Sequence, residues 1–151
     1  ASGHDHDKAI RILTLPFGLI LSILIDLKSG IIGGIAFLIG GLWLSPDLDT
    51  HSIVFKRWGL FKFVWLPYQK LIPHRSILSH APFIGTALRL IYLFFILNLI
   101  IFLIQPLWLQ LPLEAPNLIN EQFKMQKQNL IIILLALESS AWIHLILDGD
   151  P

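Results

Sequence analysis

Polar and apolar residues segregate along this chain into four long apolar runs and the stretches between them. Residues 1–8 are polar, and the first apolar run covers roughly 10–25, with Arg11 near its start and Pro16 inside it. It is short for a bilayer span, but a tilted helix or a thin bilayer accommodates such a length. The second run, 31–44, is rich in glycine, with the pairs Gly33-Gly34 and Gly40-Gly41. Small residues at helical spacing let transmembrane helices approach closely, so these glycines predict helix packing. The third run, 81–104, is the strongest and passes the length test for a span. Arg89 lies in its first half, where a long side chain is expected to snorkel toward the polar end. The last run, 130–147, leads into Asp148-Gly149-Asp150-Pro151. The pattern predicts an all-α fold. It is read as a single membrane domain over 1–151, an integral membrane bundle of about four transmembrane helices with an interfacial polar connection.

That connection is 45–81. It holds Ser45-Pro46-Asp47-Leu48-Asp49, then Lys56-Arg57-Trp58, then Trp65-Leu66-Pro67-Tyr68, then His74-Arg75-Ser76-Ile77-Leu78-Ser79-His80. Tryptophan, tyrosine and cations suit the headgroup level, and 61–71 is expected to form an amphipathic interfacial helix interrupted by Pro67. The other connection, 105–129, carries prolines and then a polar stretch without chemical signals. With four spans, both chain ends and 45–81 fall on one membrane face. That face holds about seven Lys and Arg against about three on the other, which the positive-inside rule assigns to the cytoplasm. All six histidines (His4, His6, His51, His74, His80 and His144) lie on it.

Composition narrows the chemistry. Hydrophobic residues make up 55% and charged residues 14% of the chain, which argues for lipid as the solvent. A net charge of +1 gives no basic surface for nucleic acid. Cysteine is absent, so disulfides, thiolate nucleophiles and iron–sulfur clusters are excluded. Any metal must be held by histidine and carboxylate. The opening Ala1-Ser2-Gly3-His4 does not read as a secretory signal peptide.

Three groups of ligand-type residues remain. His144 and Asp148 are four apart at a predicted helix end, so they share a face and can hold one ion or pair as ligand and orienter. A helix-terminal histidine favoured by the macrodipole is the plain alternative. Asp47 and Asp49 sit in a non-helical segment and can flank hard or borderline cations, or simply make a turn. His74 and His80 are six apart and cannot share a helical face. A loop-to-helix transition near Ser76, with Ser76 or Ser79 as the cap, would let both point at one centre. Arg75 offers a fixed fork for an anion, or an interfacial anchor. In the polar His4-Asp5-His6-Asp7 opening, His6 and Asp7 lie nearest the first helix, although such a terminus is often disordered. Glu138 lies too deep in the last span to join them and is read as a packing or partner contact.

Taken in order, Pro46-Asp47-Leu48-Asp49, His74-Arg75 with Ser79-His80, and His144-x-x-x-Asp148 resemble a bacterial family of uncharacterised metal-binding membrane proteins common in cyanobacteria. The Ser2-Gly3-x-x-His6-Asp7 opening and the Trp-Leu-Pro-Tyr-Gln-Lys stretch fit it too. The same order is similar to that of inner-membrane metal-dependent hydrolases. The resemblance implies a divalent metal, zinc in the first instance, as one or two ions held by His6, Asp47, His74, His80, His144 and Asp148. The chain departs from the family pattern in its extra His4 and in stopping at Pro151, where further residues are expected.

Two functions follow as expectations. The first is a metal-dependent hydrolase at the cytoplasmic face of a bacterial inner or thylakoid membrane, acting on a phosphoester or lipid-like substrate. Asp49 would be the general base and Arg75 would hold the substrate anion. The second is a non-catalytic subunit or assembly factor of a larger membrane complex, a photosynthetic one being one case, in which the metal or histidine cluster is structural or ligates a pigment. With no charged residues expected to line the core of the spans apart from Arg89 and Glu138, a conduction path is disfavoured.

Overall fold

The computed structural model describes residues 2–108 and 127–149. Among the described residues, seven α-helices run in the order α1 (Gly3–Leu24), α2 (Leu27–Trp43), α3 (Ile53–Arg57), α4 (Leu66–Leu71), α5 (Ile77–His80), α6 (Ile84–Trp108) and α7 (Lys127–Asp148). Two 3-10 turns, Pro46–Asp49 and Gly59–Trp65, lie between them, and there is no strand among the described residues. Most of the 105–129 connection falls outside the described residues. Among the described residues, three segments are long and apolar enough to cross a membrane: Leu27–Asp49, Ile84–Gln105 and Lys127–Asp148. The fourth long helix, α1, is not among them. It incorporates the polar opening, so its first three turns carry Asp5, Asp7, Lys8 and Arg11.

A disordered amino terminus is therefore not what forms. The Ser2 hydroxyl accepts from the Asp5 N–H at 3.3 Å. The Asp5 carboxylate accepts in return from the Ser2 N–H at 3.0 Å. This reciprocal capping box satisfies two donors that a helix start leaves orphaned, and it begins α1 at Gly3.

α2 is wedged between α1 and α7 by glycine. A Cβ at Gly30 would lie 2.5 Å from the Gly18 carbonyl oxygen of α1, and one at Gly40 would lie 2.4 Å from Ser140 Oγ of α7. Only glycine permits these approaches, which place helix backbones in near contact. Ile10, Phe37, Leu42 and Ala136 fill the seam.

The expected interfacial helix over 61–71 is divided between the second 3-10 turn and α4. The break precedes Pro67, which sits in the first turn of α4, where its missing N–H is no loss. Trp65 and Tyr68 are buried with Leu48, Phe55 and Ile72, and Leu88, Tyr92 and Ile96 of α6 close over them. The Tyr92 hydroxyl donates to the Val64 carbonyl. Leu60, Phe61, Phe63 and Leu71 point outward. Below this platform α6 is almost wholly exposed.

Arg89 does not snorkel to solvent. It is 2% exposed and donates to the Ser79 carbonyl at 2.9 Å and to Thr86 Oγ1 at 3.1 Å. The polar end of α6 is covered by the α5 turn, so the guanidinium finds its acceptors inside the protein. Glu138 is a packing contact, with Oε1 accepting from the Phe83 N–H at 2.7 Å and the Trp142 indole N–H at 2.7 Å. Chain direction alternates through the four long helices. The starts of α1 and α6 and the ends of α2 and α7 thus share one end of the bundle.

Candidate metal centre

Eight of the ionisable side chains singled out from sequence collect at that end: His6, Asp47, Asp49, His74, Arg75, His80, His144 and Asp148. α7 presents His144 and Asp148 one turn apart, with His144 Nε2 3.4 Å from Asp148 Oδ2. Asp47, on the turn that follows α2, brings Oδ1 to 3.4 Å from the same nitrogen. His6, in the second turn of α1, stacks on His144 with ring centroids 3.9 Å apart. Its Nε2 lies 2.9 Å from Asp148 Oδ1. His80 ends α5, with its ring 6.2 Å from that of His144. Asp47, His80, His144 and Asp148 each offer one ligand atom, and the four atoms lie within 4.8 Å of one another.

Asp49 faces the other way, because residues two apart on a turn with three residues per turn diverge. Its buried carboxylate lies 2.9 Å from His74 Nδ1 and 3.6 Å from His80 Nδ1, and accepts from the Arg75 N–H at 3.2 Å. The loop-to-helix transition at Ser76 sets this up. α5 starts at Ile77, with Ser76 in the N-cap position but without a side-chain capping bond. Arg75 adopts φ 55°, a left-handed conformation that disfavours side chains by about 1–2 kcal/mol. This turns its N–H onto Asp49 and its half-exposed guanidinium to within 3.5 Å of Asp148 Oδ2. His74 is likewise half-exposed, whereas His6, His80 and His144 are buried.

His4 and His51 stay outside. Both are exposed, and His51 stacks on Phe55 instead. Asp7 points away from the cluster and pairs with Arg57, which also donates to the Leu42 carbonyl. The clasp ties the start of α1 to the end of α2. Arg57, read from sequence as an interfacial cation, carries no sequence mark of this role. Ser45 is a second residue that the sequence pattern did not single out. Its Oγ lies 3.2 Å from His144 Nδ1. The short Ser-Pro-Asp segment that holds it was visible, but its partner across the bundle was not.

The donor set fits a divalent ion. Ser45 engages Nδ1 of His144 and fixes the ring, as outer partners of metal-ligating histidines do. The opposite atom, Nε2, is buried without a hydrogen bond and faces two carboxylate oxygens at 3.4 Å each. That is too long for a hydrogen bond. It equals the separation of about 3.4 Å between two atoms bound at about 2.1 Å to one tetrahedral ion. Burial, with His144 acting in the same direction and Asp148 against it, holds the His6 imidazole below its ordinary pKa. It is therefore kept neutral, the form in which histidine binds metal.

The family model described as "Uncharacterized metal-binding protein (DUF2227)" matches residues 1–150. This chain belongs to that family. As a family member it is also similar to an uncharacterized protein of Aquifex aeolicus (strain VF5), 48% identical over 61 residues. The match covers 40% of this chain and 43% of that protein, so the chain spans less than half of the relative's length. No solved structure matches.

Proposed function

We propose that this DUF2227 member is an integral membrane protein that holds a divalent ion, with zinc preferred, and acts as a metal-dependent hydrolase at the cytoplasmic face. The observation that carries the reading is the convergence of Asp47, His80, His144 and Asp148, from three separate segments, onto one point at the bundle end. Two imidazoles and two carboxylates are borderline donors of the kind zinc takes. The membrane reading is supported by three helices of spanning length, and the cytoplasmic side by the bias of Lys and Arg toward the site face. A bound divalent ion supplies Lewis acidity, which acidifies water and polarises a phosphoryl or carbonyl oxygen.

The chain's own groups divide the remaining work. Arg75, half-exposed at the mouth and braced through its N–H by Asp49, binds the anionic part of a substrate. Asp49 is buried beside His74 and accepts a proton at its carboxylate, with His74 as the exposed group through which that proton leaves. A phosphoester or lipid-derived substrate suits a site level with the headgroups.

One observation favours a second reading, a non-catalytic subunit with a structural ion. Four ligands already complete a tetrahedral shell, and catalytic zinc sites keep a position open. The nearly bare surface of α6 would then meet a partner in a larger membrane complex rather than lipid alone. Cobalt-loaded protein titrated with inorganic phosphate separates the two. A spectral change, with phosphoester hydrolysis lost in Asp49→Asn, supports the hydrolase. An unresponsive spectrum together with inactivity on a phosphoester panel overturns it.

A further inference from the structure

Two buried charged side chains of α6 and α7 lie outside the metal cluster: Arg89 in α6 and Glu138 in α7. Neither is idle. Arg89 donates to the Ser79 carbonyl at 2.9 Å, one residue before His80. Glu138 accepts from the Phe83 N–H at 2.7 Å, three residues after it. The segment between those bonds is the hinge joining α5 to α6. Phe83 holds φ 62° there, a conformation that side chains avoid unless the surroundings impose it. Gly85 completes the seat, since a Cβ on it would lie 2.4 Å from the Ser79 carbonyl oxygen.

Burying a guanidinium and a carboxylate in apolar helices is costly even when they are hydrogen-bonded, so such groups are retained for a function. Here both grip the backbone on either side of one ligand. We infer that Arg89 and Glu138 are positioning residues for His80. They clamp the Ser79–Phe83 hinge from α6 and α7 and so hold the imidazole at the metal centre. The inference rests on the metal-site reading above. It assigns to the two buried charges a role in metal affinity that their distance from the ligands would not suggest.

The two side chains act differently. Both bonds to Glu138 enter one oxygen from N–H donors, so an amide oxygen can replace it. Arg89 bridges two acceptors with separate nitrogens, which a lysine ammonium cannot span equally.

The test uses the full-length protein in detergent, loaded with cobalt. Glu138→Gln is expected to bind within about twofold of the parent. Glu138→Leu, Arg89→Lys and Gly85→Ala are expected to lose about tenfold or more in affinity, as outer-shell changes do. Their cobalt spectra should shift in the same way as that of His80→Ala, which destabilisation alone would not produce. Gly85→Ala displaces Ser79 and keeps both charged groups, its added Cβ lying 2.4 Å from the Ser79 carbonyl oxygen and 3.3 Å from Arg89 Nη1, so it tests the hinge even if an Arg89 variant fails to fold. Parental affinity and spectrum in both Glu138→Leu and Gly85→Ala would overturn the inference. If the parent itself binds no cobalt, the preceding reading fails separately. Amide exchange then decides the clamp on its own. Faster exchange at residues 79–83 in Glu138→Leu than in Glu138→Gln supports it, and equal exchange overturns it.

Discussion

His144→Ala is the most informative single change, because His144 touches every part of the cluster. In the metal-free protein it removes the stack on His6 and the bond to Ser45, a loss of about 1–3 kcal/mol with a buried hydroxyl left behind. With metal the loss is larger. Structural zinc sites bind with about 10–16 kcal/mol, so an equal quarter share is about 2.5–4 kcal/mol per ligand. At 1.4 kcal/mol per decade, the affinity should fall by about two to three orders of magnitude. The shift in Tm on adding metal isolates this term from the metal-free loss. At a free metal concentration 100 times the parental Kd, binding stabilises the parent by about 2.7 kcal/mol. A 100-fold weaker variant keeps only about 0.4 kcal/mol under the same conditions. For a chain of this size the shifts are about 5–11 °C and about 1–2 °C respectively. His51→Ala serves as the control, since His51 is exposed and away from the cluster. A metal-induced shift in His144→Ala equal to that of the parent would refute the assignment. So would an equal loss in His51→Ala, which would mark binding as a property of scattered histidines.

Other outcomes follow from the same geometry. Gly30→Ala forces a Cβ onto the Gly18 backbone and should cost about 1–3 kcal/mol, read by thermal unfolding in detergent. The His6 pKa is held down by burial, so the unfolded chain takes up its proton first as pH falls. The resulting stability is present above about 6.5 and is lost as the pH falls through the lower folded value. His6→Gln should flatten that part of the stability–pH curve of the metal-free protein, and an unchanged slope would contradict the cause given. Arg57→Ala strands Asp7 and frees α1 from the end of α2. Amide exchange over residues 3–10 should rise.

Local features of the centre were legible in the sequence, and long-range ones were not. His144 and Asp148 could be paired because helical spacing alone puts them on one face. The turn at Ser76 that brings His74 and His80 toward a common carboxylate followed from their spacing of six. The meeting of Asp47 with His144 depends on how closely α2 rides on α7, which Gly40 permits but does not announce. The entry of His6 rests on the capping box. Ser2-x-x-Asp5 was present as a signal, but beside it a cluster of charges looks like a solvated tail. Asp7 shows the limit of proximity arguments. It adjoins His6 in sequence, yet it projects about 100° further round α1 and meets Arg57, 50 residues away. Arg89 does reach toward the polar end of α6, but it meets the Ser79 carbonyl there rather than solvent. Hydropathy marks α6 as a span, but the cover that α5 places over its polar end is a tertiary feature.

The central claim is that one divalent ion sits among Asp47, His80, His144 and Asp148. X-ray absorption at the metal edge of the purified protein, with metal content measured on the same sample, tests it most directly. The expected result is a stoichiometric ion with mixed nitrogen and oxygen neighbours at about 2.0–2.2 Å, lost in the Asp47→Ala/His144→Ala double variant. A protein that purifies without stoichiometric metal and gains none on addition, or one whose metal survives the double variant, would contradict it.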